Sequence, residues 1–356
     1  METRTHLHKI RERRGLSAAA LAKLAGVTRQ TIYAIEAGDY VPNTTVALQL
    51  AKTLEVRVEE LFSLDAGFPS PPKPVPVDFI TPARGGQPVQ LCRVGNRMIG
   101  VSTAPQHMMF PAADAIVVGS GKAQTFPGEI EDPKRLLIAG CDPGISLLSQ
   151  HLDLVIAPST SQRALEWLKQ GKVHVAGTHL RDSSTGHYNL PVVKQLFPRG
   201  TVKVVTFAIW EQGLVTRMGS PIRRVEDLAG KAVRIVNREK GAGSRAVLDQ
   251  HLLAAGISST QLNRYDRIAA GHLPAAQAVS HGEADCCIAT RSAARAFGLH
   301  FIPLVTERYD LVIHHQYANL PAIEALLDLL NRSSFRHKLE LLAGYDTAHT
   351  GEVLIG

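Results

Sequence analysis

Residues 5–64 carry apolar side chains with the spacing of an amphipathic α-helix. Leu21 and Leu24, for example, lie three positions apart, which places them on the same face of a helix. Ser17 and Thr28 each precede such a segment, and Ser and Thr are favoured residues at a helix N-cap. The pattern predicts a helix near Thr5–Arg14, a second helix after Ser17 and a third helix over Arg29–Glu36.

After this helical region the pattern changes to prolines and then to short apolar runs. Residues 66–77 hold five prolines in twelve positions, which predicts a stiff, extended linker. Between residues 78 and 134, turns rich in Gly and Pro separate short β-type runs at Val89–Val94, Met98–Ser102 and Ala115–Val118. We expect a β-rich connecting segment there.

From residue 135 onward, short apolar strands alternate with helical segments. The series begins with strand Arg135–Ala139, helix Gly144–His151, strand Asp153–Ala157, helix Ser161–Gln170 and strand Val173–Ala176. Such alternation predicts a parallel sheet covered by helices. The chain therefore divides into an all-α domain (1–65), the linker (66–77), the β-rich segment (78–134) and an α/β domain (135–356).

Composition indicates a globular protein and suggests a polyanionic partner. The chain has 356 residues, of which 45% are apolar, and a formal net charge of +7; this is enough apolar material to form a core. The first 35 residues hold seven Lys and Arg against two Asp and Glu, whereas residues 36–65 hold two against six. A basic face confined to the first three helices is typical of a small DNA-binding domain.

The sequence also predicts a cytoplasmic protein without membrane association. No apolar stretch follows the charged residues at the N-terminus, so we expect no signal peptide. No apolar run approaches the roughly 18 residues that a membrane span requires. A chain of this length with only four cysteines has no disulfide framework; they are Cys92, Cys141, Cys286 and Cys287.

The second and third predicted helices are joined by the turn Ala25-Gly26-Val27, whose glycine can adopt a positive φ angle. Two short helices joined in this way form a helix-turn-helix unit. The second helix of such a unit enters the DNA major groove with its N-terminal residues at the base edges. We expect Arg29 to read guanine and Gln30 to read adenine. The predicted contacts to double-stranded operator DNA come from Thr28, Arg29, Gln30, Thr31 and Tyr33.

Several stretches of this segment are shared with a known family. They are Arg14-Gly-Leu-Ser, Leu21-Ala, Ala25-Gly-Val-Thr-Arg-Gln-Thr-Ile, Ile35-Glu36, Pro42-Asn and Leu61-Phe, and they resemble the Xre (λ-repressor-like) family of helix-turn-helix domains. Family members often carry Gln or Glu early in the second helix, where this chain has Ala18-Ala19-Ala20, which puts one contact to the DNA backbone in doubt. The alternative is a helical protein-interaction module.

Two junctions between a strand and a helix in the α/β domain have the chemistry of an anion site. Leu136–Ala139 runs into Gly140-Cys-Asp-Pro-Gly-Ile-Ser146, and Val233–Val236 runs into a loop that holds Arg238, Gly241, Gly243 and Arg245 before helix Ala246–Leu253. Free backbone N–H groups at a helix start attract anions, and arginine adds charge-assisted hydrogen bonds. The alternative, equally open, is that Asp142 and Ser244 only cap their helices.

The α/β domain also resembles a known family. The shared stretches are Ala139-Gly-Cys-Asp-Pro, Ala176-Gly-Thr-His-Leu, Tyr188-Asn189, Glu211-Gln-Gly-Leu, Asn237-Arg, Gly243-Ser-Arg245, Gly282-Glu-Ala-Asp285 and Glu307-Arg-Tyr-Asp310. They resemble the periplasmic-binding-protein-like (type II) domains related to molybdate-binding proteins. The resemblance implies two α/β lobes with a ligand in the cleft between them.

The resemblance also implies which residues line that cleft. They are Asp142, Gly144, Ser146, Thr178, His179, Tyr188, Asn189, Arg238, Gly243, Ser244, Arg245, Asp285 and Tyr309. Relatives commonly carry an Arg where this chain has Trp210, and an indole favours a ligand with some apolar surface. The expected effector is a small anion, and both a molybdate- or tungstate-like oxyanion and a small organic anion stay open.

Other reactive residues suggest no cofactor and no metal. The pairs His6/His8 and His314-His315 lack further ligands at zinc spacing, and adjacent Cys286 and Cys287 are typical of buried thiols at a strand end. Cys141 could be a nucleophile, but the sequence does not place the base that it needs.

We therefore expect a ligand-responsive transcriptional regulator that forms a homodimer or a higher homo-oligomer and is not an enzyme. One alternative is an enzyme that acts on a small anionic substrate and carries a DNA-binding module. Another is a ligand-storage protein whose helical head serves assembly.

Overall fold

The computed structural model describes residues 3–64, 74–103, 112–126, 135–182 and 185–355. The chain divides into two units, residues 1–73 and 74–356. Most of the predicted proline-rich linker lies outside the described residues, although its end, Val75–Pro76, forms a short strand. The division of the chain into four segments expected from the sequence stays a prediction.

The described part of the first unit contains helices and one short antiparallel strand pair. The elements are β1 (Thr3–Thr5), α1 (Leu7–Arg13), α2 (Ala18–Ala25), α3 (Arg29–Ala37), α4 (Thr44–Leu54), α5 (Val58–Leu61) and β2 (Phe62–Leu64). The predicted caps form: the Ser17 and Thr28 side chains accept hydrogen bonds at 3.1 Å from the backbone N–H groups of Ala20 and Thr31. Gly26 ends α2 with a φ of 67°, as the turn requires.

An ion pair inside this unit fixes α3 against α1. Arg11 is 8% exposed, and its guanidinium donates to both carboxylate oxygens of Glu36 at 2.5 and 3.1 Å. A third hydrogen bond joins it to the backbone carbonyl of Leu16 at 2.8 Å. The apolar face of α3, formed by Ile32 and Ile35, is fully buried in the same core.

The second unit begins with a six-stranded, mostly antiparallel sheet. Its strands are β3 (Val75–Pro76), β4 (Asp78–Phe79), β5 (Pro88–Val94), β6 (Arg97–Ser102), β7 (Ala115–Gly119) and β8 (Lys122–Thr125), in the order β3-β8-β7-β5-β6-β4. One face of this sheet shares a core with the following α/β region, in which Cys92 and Ile99 pack with Leu137 and Val155. The β-rich segment expected between residues 78 and 134 therefore shares in the packing of the α/β region.

The α/β region contains one large sheet and the helices on its faces. Its strands are β9 (Leu136–Gly140), β10 (Leu154–Pro158), β11 (Val175–Thr178), β12 (Val202–Thr216), β13 (Gly230–Arg238), β14 (Leu262–Asn263), β15 (Ile268–Ala269), β16 (Cys286–Thr290), β17 (His300–His314), β18 (Tyr345–Asp346) and β19 (Val353–Ile355). Its α-helices are α6 (Ser161–Lys169), α7 (Leu190–Leu196), α8 (Gly243–Ala254), α9 (His272–Ser280), α10 (Arg291–Ala296), α11 (Pro321–Leu330) and α12 (Ser333–Leu341). Short 3₁₀ helices lie at Pro143–Gln150, Val225–Leu228, Ser259–Gln261 and His315–Tyr317.

The expectation of a parallel sheet is only partly right. Strands β9, β10 and β11 are parallel to one another, and β13 is parallel to β16. These two groups are joined by β12 and β17, which are fifteen residues long and antiparallel to each other. The strand order is β10-β9-β11-β17-β12-β16-β13-β14. Two long strands that each cross from one half to the other make the sheet mixed.

The hydrophobic cores follow this division into halves. One pair of clusters surrounds β9–β11, and a separate pair surrounds β13 and β16. The α/β region therefore has the two lobes that the resemblance implies, and β12 and β17 connect them. Among the described residues, no helix combines the length and the apolar character needed to cross a membrane.

Two helix boundaries differ from the prediction at the junctions considered for anion binding. The segment predicted as helix Gly144–His151 is a 3₁₀ helix over Pro143–Gln150, with proline at its first position. Helix α8 begins at Gly243, not at Ala246, and its N-cap residue Ala242 has no side chain that could cap it. Hydrophobic periodicity takes no account of a proline at a helix start or of the N-cap residue, so the predicted bounds differ from those in the structure.

Candidate functional site

The first turn of α3 is exposed while its inner face is buried. Arg29 and Gln30 both face solvent, and Tyr33 is 46% exposed. The Arg29 guanidinium donates to the Tyr33 hydroxyl at 2.8 Å and lies 5.2 Å from the centre of its ring. The Thr28 and Thr31 hydroxyls are 2.8 Å apart at the helix start. The five residues predicted to contact DNA thus form one surface at the beginning of this helix.

In the α/β region, reactive side chains gather where strands end. Cys141 and Asp142 follow β9, His179 follows β11, and Arg238 ends β13. His272 is the first residue of α9. The carboxyl ends of parallel strands form the edge at which open α/β sheets bind their ligands. In this structure the carboxyl-end edges of both lobes meet around His179, which contacts residues of each lobe.

The imidazole of His179 is the centre of this group and is 2% exposed. Its ring centre lies 5.1 Å from Trp210, 5.8 Å from Tyr309 and 6.4 Å from His272. Gly243 approaches it so closely that a Cβ there would overlap the imidazole. Because α8 and α9 belong to one lobe and β11 to the other, His179 contacts both lobes at once.

A hydrogen-bonded chain runs through His179. Its Nε2 is 3.3 Å from Cys141 Sγ, and its Nδ1 is 2.9 Å from a carboxylate oxygen of Glu307. Gln212 donates a further hydrogen bond to the same carboxylate. Burial alone lowers the pKa of His179, but Cys141 and Glu307 outweigh this effect and raise the pKa to about 10. This series of hydrogen bonds thus joins a thiol, an imidazole and a buried carboxylate.

Four hydrogen-bond donors on β12, on β13 and in the first turn of α8 are buried and have no hydrogen-bond partner in the described part of the chain. They are Trp210 Nε1, Asn237 Nδ2, Arg238 Nη1 and Ser244 Oγ. Each of these side chains is no more than 1% exposed. A buried donor without an acceptor costs about 1–3 kcal/mol, so a group with several acceptors placed here would satisfy donors that the protein leaves free.

Arg238 and Arg245 have different roles in this structure. Two nitrogens of Arg238 bind the Glu239 carboxylate at 3.0 Å each, which leaves Nη1 as the unpartnered donor. Arg245 instead donates to the Arg238 backbone carbonyl at 3.1 Å, and its guanidinium lies 4.9 Å from the ring centre of Tyr265. In this structure the Arg245 side chain holds the loop before α8, and its predicted contact with an anion stays a prediction.

The junction after β9 is already occupied by a carboxylate. Asp142 Oδ1 accepts hydrogen bonds from Gly144 N at 2.7 Å and from the Tyr345 hydroxyl at 2.5 Å. Burial raises the pKa of Asp142 to about 6. Ser146 is exposed and its hydroxyl donates to the Pro143 carbonyl. Here the structure agrees with the capping alternative, since a carboxylate at the helix start disfavours a second anion.

Three other predicted ligand residues brace the loop after β11. Asn189 donates to the Arg308 carbonyl at 3.1 Å and to the Asp310 carboxylate at 2.7 Å, and its Oδ1 accepts from Thr178. Tyr188 donates to the Thr306 carbonyl. These bonds join the loop to β17, and the predicted roles of the three side chains toward a ligand stay predictions.

Asp285 lies away from the gathered residues. It precedes β16, at the opposite end of that strand from Thr290, and it forms a bidentate pair with Arg234 at 2.7 and 3.0 Å. The pKa of Asp285 is lowered chiefly by this pairing. The predicted residues that the structure does bring together are His179, Trp210, Arg238, Gly243, Ser244 and Tyr309.

Several members of this group were not among the residues predicted to line the cleft. They are Cys141, Gln212, Asn237, His272 and Glu307. Cys141, Gln212, Asn237 and Glu307 lie within stretches that carry the family resemblance, and that is the sequence signal that points to them. His272 and Cys141 meet His179 only through the tertiary fold, and their donor atoms lie within 4.8 Å of one another and of His179.

Comparison with protein families and curated proteins agrees with this architecture. Residues 146–331 match the family described as the PBP superfamily domain, and residues 7–61 match a helix-turn-helix family. The uncharacterized protein YvgK of Bacillus subtilis is 32% identical over 240 residues, which cover 65% of this chain and 77% of that protein. The uncharacterized HTH-type transcriptional regulator YgzD of the same species is 44% identical over 57 residues, 16% of this chain and 86% of that protein.

Solved structures give a weaker likeness. A phosphate ABC transporter substrate-binding protein from Clostridium perfringens has a TM-score of 0.44 at 13% identity, over 59% of this chain and 98% of that chain. The sulfate-binding protein SubI from Mycobacterium tuberculosis has a TM-score of 0.46 at 16% identity, over 59% and 85%. With scores this low, the assignment rests on the family matches. The chain belongs to the PBP superfamily domain family, and an Xre-like helix-turn-helix domain precedes its PBP-like domain in the sequence.

Proposed function

We propose that this protein is a regulator of transcription whose PBP-like domain binds a small anionic effector and whose helix-turn-helix domain binds operator DNA. The four buried, unpartnered donors of β12, β13 and α8 are the observation that carries the effector half of this proposal. The exposed first turn of α3 supports the DNA half. Related proteins include several named as HTH-type transcriptional regulators.

The donors favour an anion with several oxygen atoms. Arg238 Nη1 supplies a charged donor, and the Ser244 hydroxyl lies in the first turn of α8. The start of a twelve-residue helix adds a partial positive charge. The indole of Trp210 contributes one N–H together with a large apolar surface. This set suits a compact oxyanion, and it also suits a small organic anion that places a carbon skeleton against the indole.

Regulation would follow from linkage between the two halves of the molecule. An effector can change operator affinity only if it binds one arrangement of the protein more tightly than another. The effector site takes residues from both lobes of the α/β region, so binding there favours a closed arrangement of the lobes. Helix-turn-helix proteins generally bind paired half-sites as dimers, and we propose a homodimer or a higher homo-oligomer here.

The effector half is tested by adding anions to the full chain and measuring its thermal unfolding. The series contains molybdate, tungstate, sulfate, phosphate, and small carboxylates and sulfonates. A true effector raises the midpoint in a concentration-dependent manner, and Arg238→Gln and Ser244→Ala each weaken its affinity at least tenfold. Arg199→Ala, at an exposed arginine, leaves the affinity unchanged. If no anion shifts the midpoint, or if Arg238→Gln binds as well as the unaltered chain, this half is wrong.

A second function is favoured by one observation. Cys141, His179 and Glu307 have the connectivity of a nucleophile, a base and the group that orients the base. An enzyme that acts on a small anionic substrate would use them in that way. Turnover of the identified ligand that is lost in Cys141→Ala and in His179→Ala would favour the enzyme, whereas binding without turnover favours the regulator.

A further inference from the structure

Three side chains that can bind a metal ion meet beside the proposed effector site. The thiol of Cys141 and ring nitrogens of His179 and His272 all lie within 4.8 Å of one another. Ligand atoms bound at 2.0–2.3 Å around a tetrahedral zinc ion lie roughly 3.5 Å apart. Cys141 Sγ and His179 Nε2 already have that separation, at 3.3 Å, and a shift of the His272 ring by about 1 Å would complete the set.

His272 is a second and independent sign that a ligand belongs here. Its side chain is 1% exposed, and neither ring nitrogen finds a hydrogen-bond partner among the described residues. A neutral imidazole has one donor and one acceptor, and burial of unsatisfied polar atoms is costly. A metal ion at one ring nitrogen would satisfy the acceptor. The nucleophile-and-base arrangement of Cys141 and His179 leaves this histidine unexplained.

The surroundings of His179 match those of a metal-bound histidine. Its Nε2 faces Cys141, while its Nδ1 is 2.9 Å from the Glu307 carboxylate. Histidine ligands usually donate their second ring N–H to a carboxylate, which fixes the tautomer and the orientation of the ring. Gln212 in turn donates to Glu307, so the carboxylate is itself held in position.

The charges nearest this position balance a divalent cation. Metal binding would release the protons of the Cys141 thiol and of His179 Nε2. The Cys141 thiolate and the Glu307 carboxylate, which both contact His179, then carry two negative charges beside the ion. Arg238, the nearby cation, is paired with the Glu239 carboxylate. A buried ion is tolerated when opposite charges and polar ligands compensate it.

We propose that Cys141, His179 and His272 bind a divalent transition-metal ion of the zinc class. One thiolate and two imidazoles suit zinc and its neighbours, whereas magnesium and calcium take oxygen ligands. Three protein ligands leave a fourth position for water or an anion. The site depends on these three side chains and their carboxylate support, so the proposal stands whether or not an anion binds at Arg238.

The test uses the reduced, chelator-treated full chain titrated with cobalt(II) and zinc(II) alone. We expect one cobalt ion per chain and an absorption band from thiolate-to-cobalt charge transfer. Cys141→Ser removes that band, and His272→Gln weakens metal affinity at least tenfold. Glu307→Gln weakens it about 10- to 100-fold through the loss of support for His179. Cys92→Ser, at a buried cysteine of the six-stranded sheet, and His281→Gln, at an exposed histidine, keep both the band and the affinity.

A second measurement needs no variant and so does not depend on the folding of one. Zinc added to the unaltered chain should slow alkylation of Cys141 by iodoacetamide at least tenfold, as read from the modified peptide by mass spectrometry. The proposal fails if the chain binds no stoichiometric metal, if the band survives in Cys141→Ser, or if Cys141 is alkylated equally fast with and without zinc.

Discussion

Several close contacts at the site depend on residues without a side chain. A Cβ at Gly140 or Gly177 would overlap the Tyr309 hydroxyl, and a Cβ at Gly243 would overlap the imidazole of His179. Tyr309 and His179 stack on each other with an interplanar angle of 22°. The aromatic rings at which the two lobes meet therefore fit only because the residues that face them are glycines.

Replacing Gly243 by alanine tests this fit. The added methyl group must displace either His179 or the first turn of α8, so we expect Gly243→Ala to weaken effector binding at least tenfold, measured by titration calorimetry once an effector is known. It should also destabilise the chain by about 1–3 kcal/mol, the usual effect of overpacking. Gly85→Ala, where a Cβ meets nothing within 4 Å, is the control; equal behaviour of the two variants would refute the argument.

A second prediction at the residue scale concerns DNA readout. If Gln30 reads adenine, Gln30→Ala relaxes base preference at one position of each half-site and costs about 1–3 kcal/mol of operator binding. Competition binding with operators that vary at that position measures both effects. Gln49→Ala, at an exposed glutamine of α4, should leave selectivity unchanged. Unaltered selectivity of Gln30→Ala would remove this residue from the readout surface.

At the scale of elements, the position of α3 depends on one polar contact inside an apolar core. The Arg11–Glu36 pair joins α1 to the C-terminal part of α3, and the two side chains are 10% and 8% exposed. A buried ion pair adds little net stability, but removing one partner leaves the other charge buried without compensation. The pair therefore matters for orientation of the helix more than for its existence.

Neutralising one partner should loosen the first unit selectively. We expect Glu36→Gln to destabilise residues 7–61 by about 3 kcal/mol, with faster hydrogen exchange in peptides of α1 and α3 than in the unaltered chain. Peptides of the second unit provide the internal reference, and Glu59→Gln, at an exposed glutamate, provides the matched control. Unchanged exchange in α3 would mean that the pair is dispensable for the position of this helix.

At the scale of the α/β unit, a buried histidine joins the six-stranded sheet to the lobe that contains β9–β11. His174 is 3% exposed and accepts a hydrogen bond at 2.9 Å from Leu137 N in β9. Its ring also hydrogen-bonds to the backbone of Arg93 in β5. Burial lowers the pKa of His174 to about 4, against the smaller opposing effect of the Arg93 hydrogen bond.

This pKa predicts acid sensitivity of the second unit. Between about pH 6.5 and pH 4 the unfolded chain binds a proton at this position and the folded chain does not, so stability falls as pH falls through that window. From pH 7 to pH 5 the loss from this group is about 2 kcal/mol. Urea unfolding followed by tryptophan fluorescence reports this unit, because Trp167 and Trp210 both belong to it.

The contribution of His174 is isolated by comparing variants. His174→Gln should be less stable at pH 7 but lose less stability between pH 7 and pH 5 than the unaltered chain. Comparison within one pair of proteins cancels the other shifted groups. The lowered pKa of His272 acts in the same direction as that of His174, whereas the raised pKa values of Asp142 and His179 act in the opposite direction. His281→Gln, at an exposed histidine, should keep the full pH dependence. An identical pH dependence in His174→Gln would show that this ring is not the acid-sensitive group.

The sequence alone indicated the local helices of the first unit and the two families that the chain resembles. Helix periodicity, the caps Ser17 and Thr28, and Gly26 act within a few residues, so helices α2 and α3 were predicted from sequence almost to their ends. The residues predicted to contact DNA followed, because they are adjacent at the start of one helix. Shared stretches likewise indicated the two-lobed domain, since families preserve the order of such stretches along the chain.

Only the tertiary structure decided which side chains meet. Cys141, His179, His272 and Glu307 are far apart in the chain, and they come together because strand ends of both lobes converge around His179. The same packing directs Arg245 and Asp285 toward other partners. It also made β12 and β17 antiparallel, because strand direction depends on where the chain returns to the sheet and local hydrophobic pattern carries no record of that path.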